Sequence, residues 1–292
     1  VGGFLDRLPD VLKARDLKEL AGDIARARRR GRPVVLMMGA HPIKCGLGPV
    51  LIDLMERGLV TCLALNGAGA IHDFEMAMWG RTSEDVAQGL KDGSFGMARE
   101  TADLLNGAVI QGDAHDLGFG ESLGLFLTEE KAKYHGLSLL AACRRLKIPV
   151  TVHLAIGTDI VHQHPSFDGG AAGRASHRDF RILAHQVGKL SGGVVINLGS
   201  TVILPEVFLK ALTVARNLGG RAKDFTAANF DMVQHYRPNV NVVQRPTAGG
   251  GRGYSFTGHH EIMVPLLAAA ARSAAEGGWK KFSARRPIGK KR

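Results

Sequence analysis

Short apolar runs alternate along this chain with longer stretches of helical periodicity, and glycines gather where the runs end. Residues 33–39 (PVVLMMG) are apolar throughout, as a parallel strand covered by helices on both faces must be, and 60–65, 149–155 and 194–198 (VVINL) repeat the type. Two shorter segments, 224–231 and 239–244, are further strand candidates. Apolar spacing predicts helices over 16–30, 49–57, 128–147 and 261–275, and another from Pro205 closed by Gly219-Gly220. Ser176-His177-Arg178-Asp179 resembles a capping box opening a helix through Leu190. The chain from 75 to Asn106 also reads helical, with Ser83-Glu84-Asp85 starting a segment that Gly93 ends. In 107–124 five glycines stand among Asp113, His115, Asp116 and Glu121, which reads as a long functional loop. At least five strands alternating with helices predict an α/β fold, a doubly wound and mostly parallel sheet with its glycine loops along one edge.

Composition adds size and solvent class. The 292 residues, 45% hydrophobic and 22% charged, suit one large globular α/β domain. No apolar run reaches the roughly 20 residues of a membrane helix and the first residues lack a signal-peptide pattern, so a cytoplasmic protein without a membrane partner is expected. Cys45, Cys62 and Cys143 are odd in number and widely spaced, which excludes a CxxC metal site and predicts reduced thiols. Seven positive charges lie in the last thirteen residues, and without them the net +11 falls to +4. The expectation is therefore a basic solvated tail at 279–292 rather than a nucleic-acid surface, behind an amino-terminal helical segment (1–32) and a main domain (33–278).

Candidate chemistry concentrates at the glycine-rich strand ends. In LALNGAGAIHDFE (63–75) an apolar run meets Gly67-Ala68-Gly69 and then His72, Asp73 and Glu75. Glycine lets a backbone turn tightly and approach a ligand. The spacing departs from a GxGxxG fingerprint at His72, but loops at Gly39, Gly67, Gly199 and Gly249 together suit a pyrophosphate. His162 and His164, with His41, His115, Asp159 and the pair His259-His260, supply the ligand types of a zinc site and leave a metal-dependent hydrolase as an alternative. His153 sits in an apolar run and reads as a core residue. Ser200 lacks a GxSxG elbow and reads as a helix cap.

Taken in order, VVLMMGAHPIKCGLG, NGAGAIHDFE, IPVTVHLAIGTDI, INLGSTVILPE and TAGGGRGYSFTGHHEI resemble the successive motifs of the deoxyhypusine synthase family. The resemblance implies a Rossmann-like NAD-binding domain, with Gly39, Ala68, Gly69, Thr158, Asp159, Gly199 and Ser200 lining NAD and Asp73 facing the substrate. It also implies a homo-oligomer, dimer or tetramer. The family's nucleophilic lysine falls at Gly258-His259-His260, and no lysine occurs between Lys223 and Lys280. Histidine forms no imine, so the expected activity is not deoxyhypusine synthesis but NAD-dependent redox or transfer chemistry on a small-molecule metabolite. His259, His164, His72 and Asp73 are the expected catalytic groups, imidazole titrating near neutral pH, and no metal is assigned. A non-catalytic NAD-binding module is the other alternative.

Overall fold

The computed structural model describes residues 2–220 and 222–277, so the basic tail expected at 279–292 lies outside the described residues. Six parallel strands make one sheet: β1 (Val34–Met38), β2 (Cys62–Asn66), β3 (Val150–His153), β4 (Val194–Leu198), β5 (Thr226–Asp231) and β6 (Arg252–Thr257), ordered β3-β2-β1-β4-β5-β6. The expected α/β, doubly wound, Rossmann-like architecture is present. The strand order reverses between β1 and β4, and the loops leaving those two strands diverge there to opposite sides.

The helices follow in chain order. α1 (Gly2–Arg7) and α2 (Leu12–Arg29) precede β1, and α3 (His41–Lys44) and α4 (Gly48–Glu56) follow it. After β2 come α5 (Gly67–Trp79), α6 (Val86–Asp92), α7 (Arg99–Ala114), α8 (Phe119–Glu129) and α9 (Leu139–Leu146). β3 leads to α10 (Gly169–Gly188), and β4 to α11 (Ile203–Asn217). Between β5 and β6 lie α12 (Tyr236–Pro238), a π-helical turn (Asn239–Gln244) and α13 (Arg245–Thr247), and α14 (His260–Ala275) completes the chain described.

Alternation along β1 explains the two-sided core. Val34, Leu36 and Met38 pack into one apolar cluster with Leu20 and Ile24 of α2, and Val35 and Met37 into a second cluster with Leu204 and Phe208 of α11. The 1–32 segment thus packs through α2 onto the sheet. Caps set the helix starts: Asn66 accepts from the Gly69 amide at α5, and Asp168 accepts from Gly170 and Ala171 at α10.

Four expectations need correction. The supposed loop 107–124 is mostly α7 and α8, and four of its five glycines serve packing: a Cβ at Gly112 would lie 1.9 Å from Ser122 Oγ, and one at Gly120 2.8 Å from the Val150 carbonyl, while Gly107 has open space. The single helix over 128–147 is instead the end of α8, a 3₁₀ turn and α9, with Lys131 in a left-handed conformation (φ 48°) where α8 stops. Residues 239–244 are helical rather than a strand, and the true sixth strand, β6, lies in the stretch read as a glycine-rich ligand segment. α10 begins at Gly169, seating Ser176 inside the helix, where its hydroxyl donates to the Val152 carbonyl of β3.

Candidate functional site

The carboxyl edge of the sheet carries two adjoining features. The first is the crevice between β1 and β4. Gly39 and Gly199 pass so closely that a Cβ on Gly39 would stand 3.1 Å from the Gly199 carbonyl oxygen. Gly199 itself has φ 63°, and a Cβ there would meet His260 Nε2 at 2.6 Å, so both the backbone and the neighbour require glycine. Ser200 Oγ accepts from the Leu204 amide, and the amides of Thr201, Val202 and Ile203 find no acceptor among the described residues. These three N–H groups stand at the amino end of the fifteen-residue α11, an arrangement that favours an anion.

The second feature is a cleft of about 680 Å³ over β2 and β3, lined by Lys44, Ala68, His72, Glu75, Thr82, Thr101, Thr158 and Asp159 among others. Helical spacing puts His72 and Glu75 on one face of α5, where both meet Thr82. Thr82 donates to Glu75 Oε2 at 2.5 Å, so its oxygen accepts from His72 Nδ1, also at 2.5 Å, and Thr101 donates to Glu75 Oε1 at 3.0 Å. Burial pushes the Glu75 carboxyl up, but the hydrogen bonds from His72, Thr82 and Thr101 outweigh it and hold the group below its ordinary range. The chain assigns a proton to His72 Nδ1 and leaves Nε2 without a hydrogen bond among the described residues.

Asp159 closes the floor. Its carboxylate lies over Gly67, where a Cβ would come within 1.9 Å of Oδ2, and burial raises it to about 6 against the pull of the Ala68 amide and of His72. His162 Nδ1 accepts from the amides of Gly157 and Asp159, which puts its proton on Nε2, 3.7 Å from Asp159 Oδ2.

The expected site residues divide. His72, Ala68, Thr158 and Asp159 line the cleft, and Gly39, Gly199 and Ser200 line the crevice, while Gly69 is buried as the partner of the Asn66 cap. Asp73 does not face the cleft: it is 1% exposed and accepts from Ser138 Oγ, the Leu139 amide and the Leu140 amide at the start of α9. His72 faces the cleft while Asp73, the next residue, lies on the inner face of α5 with Phe74. His164 is likewise buried, donating to the Gly96 carbonyl at 2.9 Å. His259 stands exposed at the residue before α14 without a side-chain cap hydrogen bond, and it is the next residue, His260, that turns inward, 1% exposed with both ring nitrogens unpartnered. The hydrolase set is dispersed: His115 ends α7, His164 is tied to Gly96, and His162 spends Nδ1 on backbone amides. Sequence reasoning missed Thr82 and Thr101, which carry no motif. It also missed Lys44, having sought a lysine only in the loop after β6.

No protein-family model matches the chain, and no curated protein matches it. Solved structures do share its fold. A protein described as LOR/SDH, from Methanococcus maripaludis S2, superposes with a TM-score of 0.53 at 16% identity over 92% of this chain and 71% of its own. AgrE, solved as a ternary complex with ornithine and NAD+, gives 0.53 at 16% over 90% of this chain. The chain spans about a third of AgrE, 33% of its length. A chain from Entamoeba histolytica described as a deoxyhypusine synthase gives 0.50 at 10% identity, covering 87% of both chains. The deoxyhypusine synthase-like fold is therefore shared at sequence identities that speak to architecture alone.

Proposed function

We propose that this protein binds NAD across the β1/β4 crevice and oxidises or reduces a small metabolite held in the adjoining cleft. The observation that carries the reading is the set of unpaired Thr201, Val202 and Ile203 amides beside Gly199, next to a cleft whose one free imidazole nitrogen is backed by a hydroxyl and a carboxylate. The residues fit the cofactor: the amides and the start of α11 receive a pyrophosphate, Gly39 and Gly199 leave room for it, and the Asp159 carboxylate suits a ribose hydroxyl. Bound there, NAD supplies a hydride acceptor.

The chain's own groups handle the proton. His72 Nε2 takes it from a substrate hydroxyl or amine, and Thr82 with Glu75 holds Nδ1–H in place and stabilises the imidazolium that results. Lys44 and Arg81 provide cations and Glu84, Glu100 and Asp159 provide acids around one cleft, a lining that suits a small zwitterion such as an amino acid. AgrE was solved as a ternary complex with ornithine and NAD+, which agrees with this substrate class. The reading does not require an imine-forming lysine after β6.

The test is a panel of amino and hydroxy acids with NAD, followed at the absorbance band of reduced nicotinamide. The wild type is expected to reduce NAD with at least one of them, and His72→Gln to lose about a hundredfold or more in kcat with KM little changed. NAD binding without turnover by any candidate favours the binding-module reading.

A further inference from the structure

Beside the crevice, three side chains from two separate elements converge on one point. His41 and Cys45 stand one helical turn apart, at the first residue of α3 and at its carboxyl cap, and Glu261 comes from the first turn of α14. His41 Nε2 is 3.4 Å from Cys45 Sγ, Cys45 Sγ is 3.9 Å from Glu261 Oε2, and all three ligand atoms lie within 4.8 Å of one another. We propose that His41, Cys45 and Glu261 form a zinc site with a fourth coordination position open to water or to a substrate oxygen.

Geometry supports the assignment. Zinc bonds of about 2.0–2.1 Å to nitrogen and about 2.3 Å to sulfur, at tetrahedral angles, hold donors about 3.6 Å apart, and the observed 3.4 and 3.9 Å bracket that spacing. The donor chemistry agrees, since thiolate, imidazole and carboxylate together suit zinc better than magnesium or calcium, which favour oxygen. Three protein ligands with solvent access describe a site that keeps a position open, and His41 and Glu261 are exposed while Cys45 is half-buried. The other two cysteines, Cys62 and Cys143, are fully buried and take no part.

A second observation lies against the cluster. The His260 ring, 1% exposed and with both nitrogens unpartnered, meets the His41 ring edge-on at 5.6 Å between centroids. Buried imidazole nitrogens are normally hydrogen-bonded, and a water on the open metal position would give one of them a partner. α3 also carries Lys44 into the neighbouring cleft, so an ion held at its two ends fixes the turn that presents that cation.

The experiment uses untagged full-length protein freed of metal with a chelator and titrated with cobalt(II), a spectroscopic probe for zinc. One equivalent is expected to bind saturably, with a thiolate-to-cobalt charge-transfer band in the ultraviolet that zinc abolishes by displacement. Cys45→Ser should remove that band and weaken binding at least about tenfold, the scale on which even outer-shell partners act. Glu261→Gln should weaken binding by a similar factor and keep the band, and circular dichroism confirms that each variant is folded. A wild type without the band, a Cys45→Ser protein that retains it, or Glu261→Gln binding with unchanged affinity overturns the site. The readout is independent of NAD, so its failure leaves the cofactor reading standing.

Discussion

Replacing Gly67 by alanine tests how the Asp159 carboxylate is held at the start of α5. Within a helix, glycine to alanine ordinarily stabilises by up to about 1 kcal/mol. Here the new methyl would stand 1.9 Å from Asp159 Oδ2, 2.7 Å from its Cγ and 3.0 Å from Leu154 Cδ2. The Asp159 side chain is only 7% exposed and faces His162 Nε2 at 3.7 Å, so it has little room to retreat. Overpacking of this kind costs about 1–3 kcal/mol, which exceeds the helical gain, and the net loss expected is about 1–2 kcal/mol. Urea denaturation of the wild type, Gly67→Ala, Asp159→Ala and the double variant closes the cycle. Asp159→Ala should remove the main obstruction, so that the alanine at 67 costs about nothing in its presence and the coupling between the sites is about 1–2 kcal/mol. A Gly67→Ala protein as stable as wild type, or additive losses in the double variant, would refute the placement of Asp159 over Gly67.

Other outcomes separate structural groups from those that meet a ligand. Asp73→Asn should destabilise by about 2–3 kcal/mol, because an amide nitrogen would face hydrogen-bond donors at the start of α9, and should leave NAD affinity unchanged; a selective loss of affinity would return Asp73 to the site. Thr82→Val should lower kcat and leave KM nearly unchanged, because it cuts the link between His72 and Glu75, and steady-state kinetics with the identified substrate checks this. Asp159, raised to about 6 by burial, binds protons more tightly folded than unfolded. Its contribution to stability therefore declines as pH rises from about 4 through 6, and the urea midpoint of wild type should fall relative to Asp159→Asn across that window; a relative rise contradicts the shift.

What the sequence revealed depended on how local the cause was. β1, β2 and β4 were visible as largely apolar runs, as strands buried on both faces tend to be, and β3 and β5 were readable although buried Thr, His, Asn and Asp interrupt them, whereas β6 sits at the sheet edge with its first two residues exposed and carries no such run. The glycines of 107–124 looked like loop residues, but Gly118, Gly120 and Gly124 are explained by Asp179, Val150 and Leu140, which pack against them from other elements, and Gly112 by Ser122 of the following helix. His72 and Asp73 are adjacent in the chain, and only the phase of α5 decides that the first faces the cleft and the second the core. His259 and His260 repeat the lesson at α14. The Thr82 and Thr101 partners of Glu75 come from separate segments and could be found only once the chain was folded.

Calorimetric titration of NAD into the full-length protein tests the central proposal most directly. Saturable binding at one NAD per chain, accompanied by a rise in melting temperature with NAD concentration, is the predicted result. The absence of both saturable heat and any rise in melting temperature at millimolar NAD would contradict it.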